Sequence, residues 1–591
     1  MRRRHIAIIS LAVTAAAWAP MRSIRAQSAN PCVAALASES PSVQRAAVSR
    51  ELKSRFGADT RDIRDLLQLT ALATQTRALD AADLRARPAA TARPAADVND
   101  IAVLEDNGDL ILRANPFDLA NSGVRFEPNG SSYVVSAAGS EFRTPLGRAI
   151  TLGDDDTATQ TLAAPLTFYG RPFTSLFINS DGNVTFDEGD NASTARGLAR
   201  LTGGPPRMAP FFADLDPSAG GRIYFNATPD TVTVTWCAVP GFELAETVTA
   251  QVVVQSSGAI EFRFGTTDLG NGIVALSPGA TQSFTPVNLN RAEPASGDPG
   301  AIGERFSRMQ SLDLVAASRR FYETHADTFD QLVFWTDSPV IEDAFAFETT
   351  VQNAITGIGQ EVFDAAPILG SAGVLQSVVN MDRVSKYGDT PSAKLFGEMS
   401  PLGILAHETG HRWLARLMFR NADRTVSDQL LGRQLAHWSF FMDSDGSVME
   451  GNEIEDQRGG VFRTAAAPER YSRLDMYAMG LATEAEVAPW FFIDSPVSTR
   501  TRETPPSAGV TINGTRRDVL IQDVIAALGP RVPSAGDSPR VHRQAFVFIR
   551  RTGASPDPLD LTRLRRIREQ WPAFFTRATE NRMTVQTSLS Q

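Results

Sequence analysis

The sequence predicts a multidomain protein in which an all-β, sandwich-like domain is followed by an α+β domain. Three observations support this prediction. The 591 residues exceed what one hydrophobic core usually serves, and a content of 42% hydrophobic and 21% charged residues is globular. Short strand-like segments follow one another at even spacing through residues 160–282. From residue 311 onward, helical and strand-like patterns alternate instead.

The first 26 residues have the pattern of a secretory signal. Arg2–Arg4 form a basic start, and Ile6–Trp18 is an apolar run too short to span a bilayer comfortably. Ile24–Ala26 fits a cleavage site, and the adjacent arginines leave twin-arginine export open. We therefore expect a secreted or periplasmic protein, without a transmembrane span, after residues 1–26 are removed.

The charge balance narrows the classes of partner. The formal net charge is −10, and the first 26 residues carry five arginines and no acidic residue, so the mature chain is still more acidic. An acidic surface disfavours nucleic acids and anionic membranes as partners. A protein or peptide substrate, or an extracellular matrix or cell-surface partner, is compatible with this charge.

Residues 27–98 are rich in alanine and arginine. Helical spacing recurs over residues 40–84, and residues 85–98 have the composition of a linker. We interpret the region as a loosely packed helical stalk or as a pro-segment that covers the active site before maturation. The two cysteines of the chain are Cys32 and Cys237, and an oxidising compartment would permit them to pair, although their spacing does not reveal whether they meet.

Residues 99–285 are predicted to be β-rich. A hairpin is expected to join Ile101–Leu104 to Asp109–Arg113 through the turn residues Asp106-Asn107-Gly108. Further strands are predicted at Phe173–Asn179, Asn183–Phe186, Gly221–Asn226, Thr231–Trp236, Thr249–Gln255 and Ile260–Phe264.

Five blocks of this region occur together in a recognisable order. They are FTSLFINSDGNVTF (173–186), MAPFFADLDP (208–217), GRIYFN (221–226), VTVTW (232–236) and AQVVVQSSGAIEFRF (250–264). The stretch of about residues 160–282 resembles the extracellular NIDO (nidogen-like) domain, which implies an adhesive or matrix-type accessory β domain. Asp181, Asp214 and Asp216 within it are turn residues in the interpretation we prefer, and ligands of Ca²⁺ in the alternative.

A second unit is predicted over residues 300–584, after a boundary at residues 283–310 that contains Pro, Ser and Gly. One strand of this unit, Val374–Met381, is expected at the edge of a sheet, where an extended substrate can pair with it. The other patterns indicate helices at Ser311–Ala326, Val519–Leu528 and Leu559–Phe575, and strands at Gln331–Thr336, Phe345–Val351, Trp490–Phe492 and Ala545–Ile549.

The segment Pro401–Arg420 carries an HExxH motif. His407 and His411 are four residues apart, so both imidazoles lie on one face of a helix and point at one cation. Zn²⁺ with two histidines, one further protein ligand and one open position is the usual catalytic arrangement. Such a metal lowers the pKa of a water molecule, and Glu408 takes the proton and passes it to the leaving amine.

One helix is predicted to cover all of Pro401–Arg420. Ser400 is a suitable N-cap, and Arg416 and Arg420 suit the C-terminal end. The segment is apolar nearly all round, which indicates burial. Gly410 costs about 1 kcal/mol relative to alanine in a helix interior, so we interpret it as leaving room for a close neighbour.

The motif leaves the third ligand open. The text after His411 is RWLARL, so a histidine at the short HExxHxxGxxH spacing is absent. His437 and Asp475 are equal candidates, with Glu450 and Glu469 behind them.

Other residues of this region have secondary interpretations. If His437 is not a ligand, it is a candidate donor to the tetrahedral oxyanion, and Tyr477 is another. Met479 either packs below the metal or belongs to the core, and His542 is expected on a surface loop.

Four blocks of the second unit carry a further resemblance. They are FYETHADTFDQLVFWTD (321–337), HETGHRW (407–413), LGRQLAHWSFFMDSDGSVMEGN (431–452) and RYSRLDMYAMGL (470–481). Residues 300–584 resemble bacterial secreted zinc metallopeptidases of the zincin type. The resemblance implies an α+β metallopeptidase domain and one catalytic Zn²⁺.

The expected function is therefore that of a secreted zinc-dependent endopeptidase. The alternative from another class is an extracellular cell-matrix adhesion protein whose zincin-type domain is inactive. A structural metal site is a third interpretation, and it requires a closed fourth coordination position.

Overall fold

The structure, a computed structural model, describes residues 31–37, 60–67, 70 and 97–590, with gaps at 193–195, 243, 282, 291–299, 343, 396–398 and 554–556. The predicted signal of residues 1–26 lies outside the described residues. So do most of the helical patterns over residues 40–84 and most of the linker at 85–98.

Two seven-stranded sheets form a β-sandwich. The first sheet is antiparallel throughout, in the order Ser132–Ala138, Gly123–Asn129, Ile260–Phe264, Thr247–Gln255, Thr231–Pro240, Arg222–Ala227, Arg148–Ile150. The second sheet has the order Phe284–Pro286, Ala301–Phe306, Gly272–Ser277, Arg207–Phe212, Asn183–Thr185, Arg171–Asn179, Thr157–Phe168, with only its first pair parallel.

The inner faces of the two sheets share one apolar core. Phe126, Trp236 and Val252 of the first sheet pack in the same cluster as Ile178 and Met208 of the second. The Trp236 Nε1–H also donates to the backbone oxygen of Asn179, 3.3 Å away in the opposite sheet. The strands predicted from residue 173 to residue 264 are confirmed, because alternating apolar residues here face a shared core.

The sandwich continues beyond the predicted boundary at residues 283–310. Ala301–Phe306 pairs with Gly272–Ser277, and Phe284–Pro286 pairs with Ala301–Phe306. The predicted boundary therefore contains two strands of the second sheet, of which Phe284–Pro286 is the edge strand.

A separate mixed sheet supports the HExxH segment. Its strand order is Ile101–Asp106, Val541–Arg551, Gln331–Thr336, Ser377–Arg383, Phe347–Thr350, and Thr584–Gln586 adds to one end of Val541–Arg551. The pairs are parallel except the last in the order, in which Phe347–Thr350 runs antiparallel to Ser377–Arg383.

Two predictions about these strands are wrong. Ile101–Asp106 forms no hairpin with its neighbour. It pairs with Val541–Arg551, while Ile111–Leu112 pairs with Ser311–Leu312. The strand expected over 374–381 is not at the edge, since Ser377–Arg383 is paired on both sides and Phe347–Thr350 is the edge strand. Turn and strand patterns report local geometry, whereas the pairing partner depends on the whole chain.

Helices cover both faces of the mixed sheet, because its strands are buried on both sides. On one face, Trp335 and Phe546 pack with Leu405 of the HExxH segment and with Leu564 of the helix Pro558–Ala578. On the other face, the strand residues that alternate with Trp335 and Phe546 pack with the helix Leu314–Tyr322.

The remaining regular elements are short. A five-stranded antiparallel sheet has the order Met442–Asp443, Trp490–Val497, Thr511–Val519, Val461–Ala465, Glu453–Asp456, and two-stranded pairs join Gln352–Asn353 to Phe363–Asp364 and Phe419–Arg420 to Val426–Ser427. The other α-helices are Pro31–Ala37, Leu198–Gly203, Pro401–Gly410, Arg473–Met479 and Ile521–Leu528, and 3₁₀ turns lie at Ala366–Leu369, Val384–Lys386, Arg433–Leu435 and Glu484–Glu486. Within the described part of the chain, no helix is both long and apolar enough to cross a membrane.

Part of the N-terminal region is fixed to both units of the protein. Cys32 forms a disulfide with Cys237 in the first sheet. The Arg61 N–H donates to the backbone oxygen of Glu348 on the edge strand, at 3.0 Å. Asp65 accepts a hydrogen bond from the Ala199 N–H at 2.6 Å, and burial raises the pKa of Asp65 to about 6. Residues 60–67 are therefore packed, not loosely attached as the composition suggested.

A buried ion pair lies in the second sheet of the sandwich. The Arg207 side chain is fully buried and pairs with Asp190 at 2.5 Å. Burial raises the pKa of Asp190, but the neighbouring Arg207 and Arg200 outweigh it and hold that pKa at about 2. The carboxylate therefore stabilises the fold in its charged form.

We expect Asp190→Asn to destabilise the sandwich by about 3–5 kcal/mol, because it leaves Arg207 buried without its charge partner. Asp187→Asn is the matched control, since Asp187 pairs with Arg171 on the surface at 3.0 Å and such pairs contribute about 0–1 kcal/mol. Guanidinium denaturation at neutral pH measures the free energy of unfolding of both variants.

The same carboxylate predicts an acid dependence. Its folded pKa of about 2 lies below the ordinary value of 3.8, so its contribution is complete above the ordinary pKa and is lost as the pH falls towards 2. Asp190→Asn should lack this part of the acid sensitivity. The stabilising role of the charged Asp190 would be contradicted if Asp190→Asn and Asp187→Asn lost equal stability. It would also be contradicted if the acid sensitivity of Asp190→Asn were that of the unaltered protein.

Candidate metal centre

The HExxH helix is shorter than predicted. It covers Pro401–Gly410, with Ser400 as N-cap accepting from the Gly403 N–H at 3.0 Å. Beyond Gly410 the chain turns away, and the Ala415 N–H donates to the backbone oxygen of Ala436 at 3.2 Å. The prediction of a helix to Arg420 is therefore wrong, because the apolar pattern after the motif reflects burial in the core and not helical pairing.

The early end of the helix has a stabilising contact. Arg416, predicted to suit a helix end by its charge, instead reaches back and donates to the backbone oxygens of His411 and Leu414, at 3.0 and 2.9 Å. These donors satisfy carbonyl groups that a continued helix would have paired. The turn places the segment around Ala436 directly beside the motif.

Three histidines converge at this point. The Nε2 atoms of His407 and His411 are 3.0 Å apart, and those of His407 and His437 are 3.3 Å apart. All three side chains are buried, with at most 4% of any residue exposed. Among the described residues, these three form the group whose nitrogen or oxygen ligand atoms lie close enough together to hold a metal ion.

The other nitrogen of each ring faces a backbone oxygen. Nδ1 of His407 is 2.6 Å from the oxygen of Val448, Nδ1 of His437 is 2.7 Å from that of Arg433, and Nδ1 of His411 is 3.4 Å from that of Leu414. A carbonyl oxygen only accepts, so each Nδ1 carries the proton and each Nε2 presents a lone pair. Three facing lone pairs in a buried site fit a cation, and this donor set fits Zn²⁺.

The other candidate ligands lie elsewhere. Asp475 accepts from the Trp438 Nε1–H at 2.8 Å and from Ser447 and Ser472, each at 2.6 Å, and burial raises its pKa. Asp475 therefore positions Trp438, the neighbour of His437. Glu469 accepts from the N–H and the hydroxyl of Ser400, at the start of the motif helix.

Glu450 pairs with Arg433 at 2.6 Å. The Tyr477 hydroxyl accepts from the Arg531 N–H at 3.2 Å, Met479 lies in the core, and His542 is 2% exposed. The surface-loop prediction for His542 is wrong, since the strand Val541–Arg551 already includes it.

Glu408 lies on the same helix and is 2% exposed. Its charge acts on two neighbours. Burial raises the pKa of Tyr387, and the charges of Asp382 and Glu408 raise it further. Burial lowers the pKa of Lys386, while the charges of Asp382 and Glu408 oppose that shift. The glutamate that follows His407 is thus buried on the motif helix.

The segment Ser447–Glu450 supports the cluster, a role the sequence did not indicate. The Val448 oxygen faces His407, and the Met449 oxygen accepts from the Trp438 N–H at 3.0 Å. A side chain at Gly410 would lie 2.6 Å from the Met449 sulfur and 3.1 Å from the Tyr471 ring. The prediction of a close neighbour at Gly410 is therefore confirmed. The Tyr471 hydroxyl also donates to the Ala406 oxygen of the motif helix at 2.6 Å.

The aspartates considered for Ca²⁺ contact other groups. Asp181 pairs with Arg196 at 2.7 Å, Asp214 approaches the same guanidinium at 3.3 Å, and Asp216 accepts from the Ser218 N–H at 2.9 Å. The last contact is that of a turn residue.

A family profile described as NIDO related matches residues 132–300. Residues 132–300 are a NIDO-related domain. Comparison with curated proteins gave no match, and comparison with solved structures gave none either. The match covers most of the β-sandwich and ends just before the strand Ala301–Phe306 that completes the second sheet. The histidine cluster lies outside the NIDO-related domain.

Substitution of the third histidine tests the cluster. We expect His437→Asn to lower zinc affinity by more than about 100-fold, because loss of groups that merely support ligands already costs about 10–100-fold. Asp475→Asn should keep about one zinc per chain while lowering stability. For both variants, zinc content is measured after dialysis, and zinc affinity is measured by competition with a chromophoric chelator. Retention of zinc by His437→Asn together with its loss in Asp475→Asn would reverse the ligand assignment.

Proposed function

We propose that this protein is a secreted zinc-dependent endopeptidase whose zincin-type domain holds Zn²⁺ on His407, His411 and His437. The observation that carries the proposal is the convergence of three Nε2 lone pairs, together with the buried Glu408 on the motif helix that holds His407. Zinc at such a site acts as a Lewis acid that polarises a carbonyl group and lowers the pKa of water.

The residues of the chain have separate roles in this proposal. The three histidines hold the metal through Nε2, and the backbone oxygens at Nδ1 keep each ring in the required tautomer. Glu408 accepts a proton from water on its carboxylate and then delivers it to the nitrogen of the leaving amine. Burial of the cluster excludes bulk water and strengthens the electrostatic interactions within it.

The number of ligands favours a catalytic over a structural site. In the described parts of the chain, no fourth His, Cys, Asp or Glu joins the group of three. Structural zinc sites usually have four protein ligands, whereas catalytic sites have three.

Glu408→Gln tests the mechanism. We expect peptidase activity on unfolded casein to fall by about 10²–10⁴-fold, because the amide cannot take the proton, while zinc content stays near one per chain. Glu569→Gln, at an exposed carboxylate, is the matched control and should retain full activity. Full activity in Glu408→Gln would contradict the mechanism.

The alternative function is extracellular cell-matrix adhesion with an inactive zincin-type domain. The NIDO-related domain is the observation that favours it. The full-length Glu408→Gln protein tests it directly, since both units remain intact. Binding of this variant to matrix or cell surfaces, combined with absence of peptidase activity in the unaltered protein, would support adhesion.

Export to an oxidising compartment is part of the proposal, and the disulfide between Cys32 and Cys237 fits it. The pro-segment interpretation of residues 27–98 is also retained. Its support is the contact of Arg61 with the edge strand Phe347–Thr350, because an extended substrate pairs with such an edge.

The disulfide predicts an unusual result of pro-segment cleavage. Trypsin cuts after arginine but poorly before proline, so Arg85 is the favourable site among the three arginines of residues 85–98. A cut there should leave two pieces that migrate together on a denaturing gel without reductant and separate with it, because Cys32 stays bonded to Cys237.

Cys32→Ser should release the N-terminal piece without reductant after the same cut. If residues 60–67 block the substrate edge, casein hydrolysis rises on this release. Separation of the pieces in the unreduced, unaltered protein would contradict the tether.

A further inference from the structure

Arg433 contacts the histidine cluster at two points. It begins the 3₁₀ turn Arg433–Leu435, four residues before His437. Its backbone oxygen accepts from Nδ1 of His437 at 2.7 Å, and its Nη2 lies 3.2 Å from Nε2 of the same ring. The turn bends back this tightly because Gln434 and Leu435 have φ values of 57° and 53°. Because Nδ1 carries the proton, Nε2 of His437 accepts this contact from the guanidinium, which lies at the edge of the space that the three Nε2 atoms face.

Glu450 holds the guanidinium in this place. The Nη2–Oε1 distance is 2.6 Å and the Nε–Oε2 distance is 3.4 Å. Only 12% of the Arg433 side chain and 6% of the Glu450 side chain are exposed. Glu450 directly follows Met449, whose backbone oxygen is bonded to Trp438, so the ion pair is fixed by the same segment that supports the cluster. A planar guanidinium held this way keeps its orientation.

The chemistry of arginine narrows its role. A guanidinium keeps its proton at neutral pH and has no lone pair to offer, so Arg433 is not a metal ligand. A fixed positive group at the edge of a cation site stabilises negative charge that develops between the two. Peptide hydrolysis generates such a charge, because the carbonyl oxygen becomes an oxyanion when water attacks the carbonyl carbon.

The residues considered earlier for this role are engaged elsewhere. His437 belongs to the cluster itself, and the Tyr477 hydroxyl is bonded to the backbone of Arg531. We propose that Arg433 is a catalytic residue that donates a hydrogen bond to the oxyanion of the scissile peptide group, while Glu450 is the residue that positions it. Arg433 keeps its proton throughout, and the inference rests on the proposed peptidase function.

Arg433→Met tests the proposal, since methionine keeps an unbranched apolar side chain and removes the charge and the donors. We expect kcat on a quenched fluorescent casein peptide to fall by about 10²–10³-fold, the usual effect of losing one oxyanion donor, with KM changed less than about threefold. Arg433→Lys should recover part of kcat. Arg502→Met is the matched control, because Arg502 forms a more exposed pair with Asp428.

Two measurements do not depend on activity. Zinc affinity of Arg433→Met should be equal to or tighter than that of the unaltered protein, because a positive charge has been removed. In the Glu408→Gln background, a phosphonamidate peptide, which carries a tetrahedral anionic group, should bind more weakly when Arg433 is also replaced, and the loss should match the fall in kcat/KM. Calorimetry measures this binding without turnover.

The outcomes separate this inference from the proposed function. Absence of casein hydrolysis by the zinc-loaded, unaltered protein would overturn the peptidase proposal. Hydrolysis by the unaltered protein with kcat of Arg433→Met within threefold would overturn the role of Arg433 alone. Loss of zinc from Arg433→Met would also overturn it, by showing that the arginine acts through the structure of the cluster.

Discussion

The candidate metal centre depends on three hydrogen bonds from imidazole Nδ1 groups to backbone oxygens. The acceptors belong to Val448, Arg433 and Leu414, so they come from three separate segments of the chain. Each bond fixes a tautomer and turns an Nε2 lone pair inward, where it meets two others in a buried space. The lone pairs repel one another without a cation, and a cation between them removes this repulsion. The polar chemistry of the site follows from where these three carbonyl groups lie.

Several contacts place those carbonyl groups. The motif helix ends at Gly410, and the turn that follows brings Ala415 to Ala436, next to His437. The segment Ser447–Glu450 also contacts the site, because the Val448 oxygen accepts from His407 and Glu450 pairs with Arg433. A side chain at position 410 would displace the Met449 sulfur, which lies 2.6 Å from the place of its Cβ. The support of the site is therefore a set of backbone contacts that no composition pattern encodes.

The two units are joined more closely than a linear domain order implies. The chain contributes Ile101–Asp106 to the mixed sheet, then forms the NIDO-related sandwich, and returns to the mixed sheet at Gln331–Thr336. Residues 60–67 contact both units, and the disulfide attaches the N-terminal region to the sandwich. The N-terminal region therefore contacts both the sandwich and the edge strand Phe347–Thr350 of the mixed sheet.

The sequence by itself determined what local chemistry controls. The alternation of apolar residues predicted the sandwich strands, and the spacing of His407 and His411 predicted that their two imidazoles converge, because periodicity and side-chain type act over a few residues. His437 and Asp475 stayed equal from the sequence, since either side chain is a possible ligand. Tertiary structure separated them by bringing His437 to the cluster and bonding Asp475 to Trp438. The strand partner of Ile101–Asp106, the end of the motif helix and the place of Arg433 were also decided only in the folded chain, because each depends on a contact between residues distant in sequence or on backbone turns that pattern does not reveal.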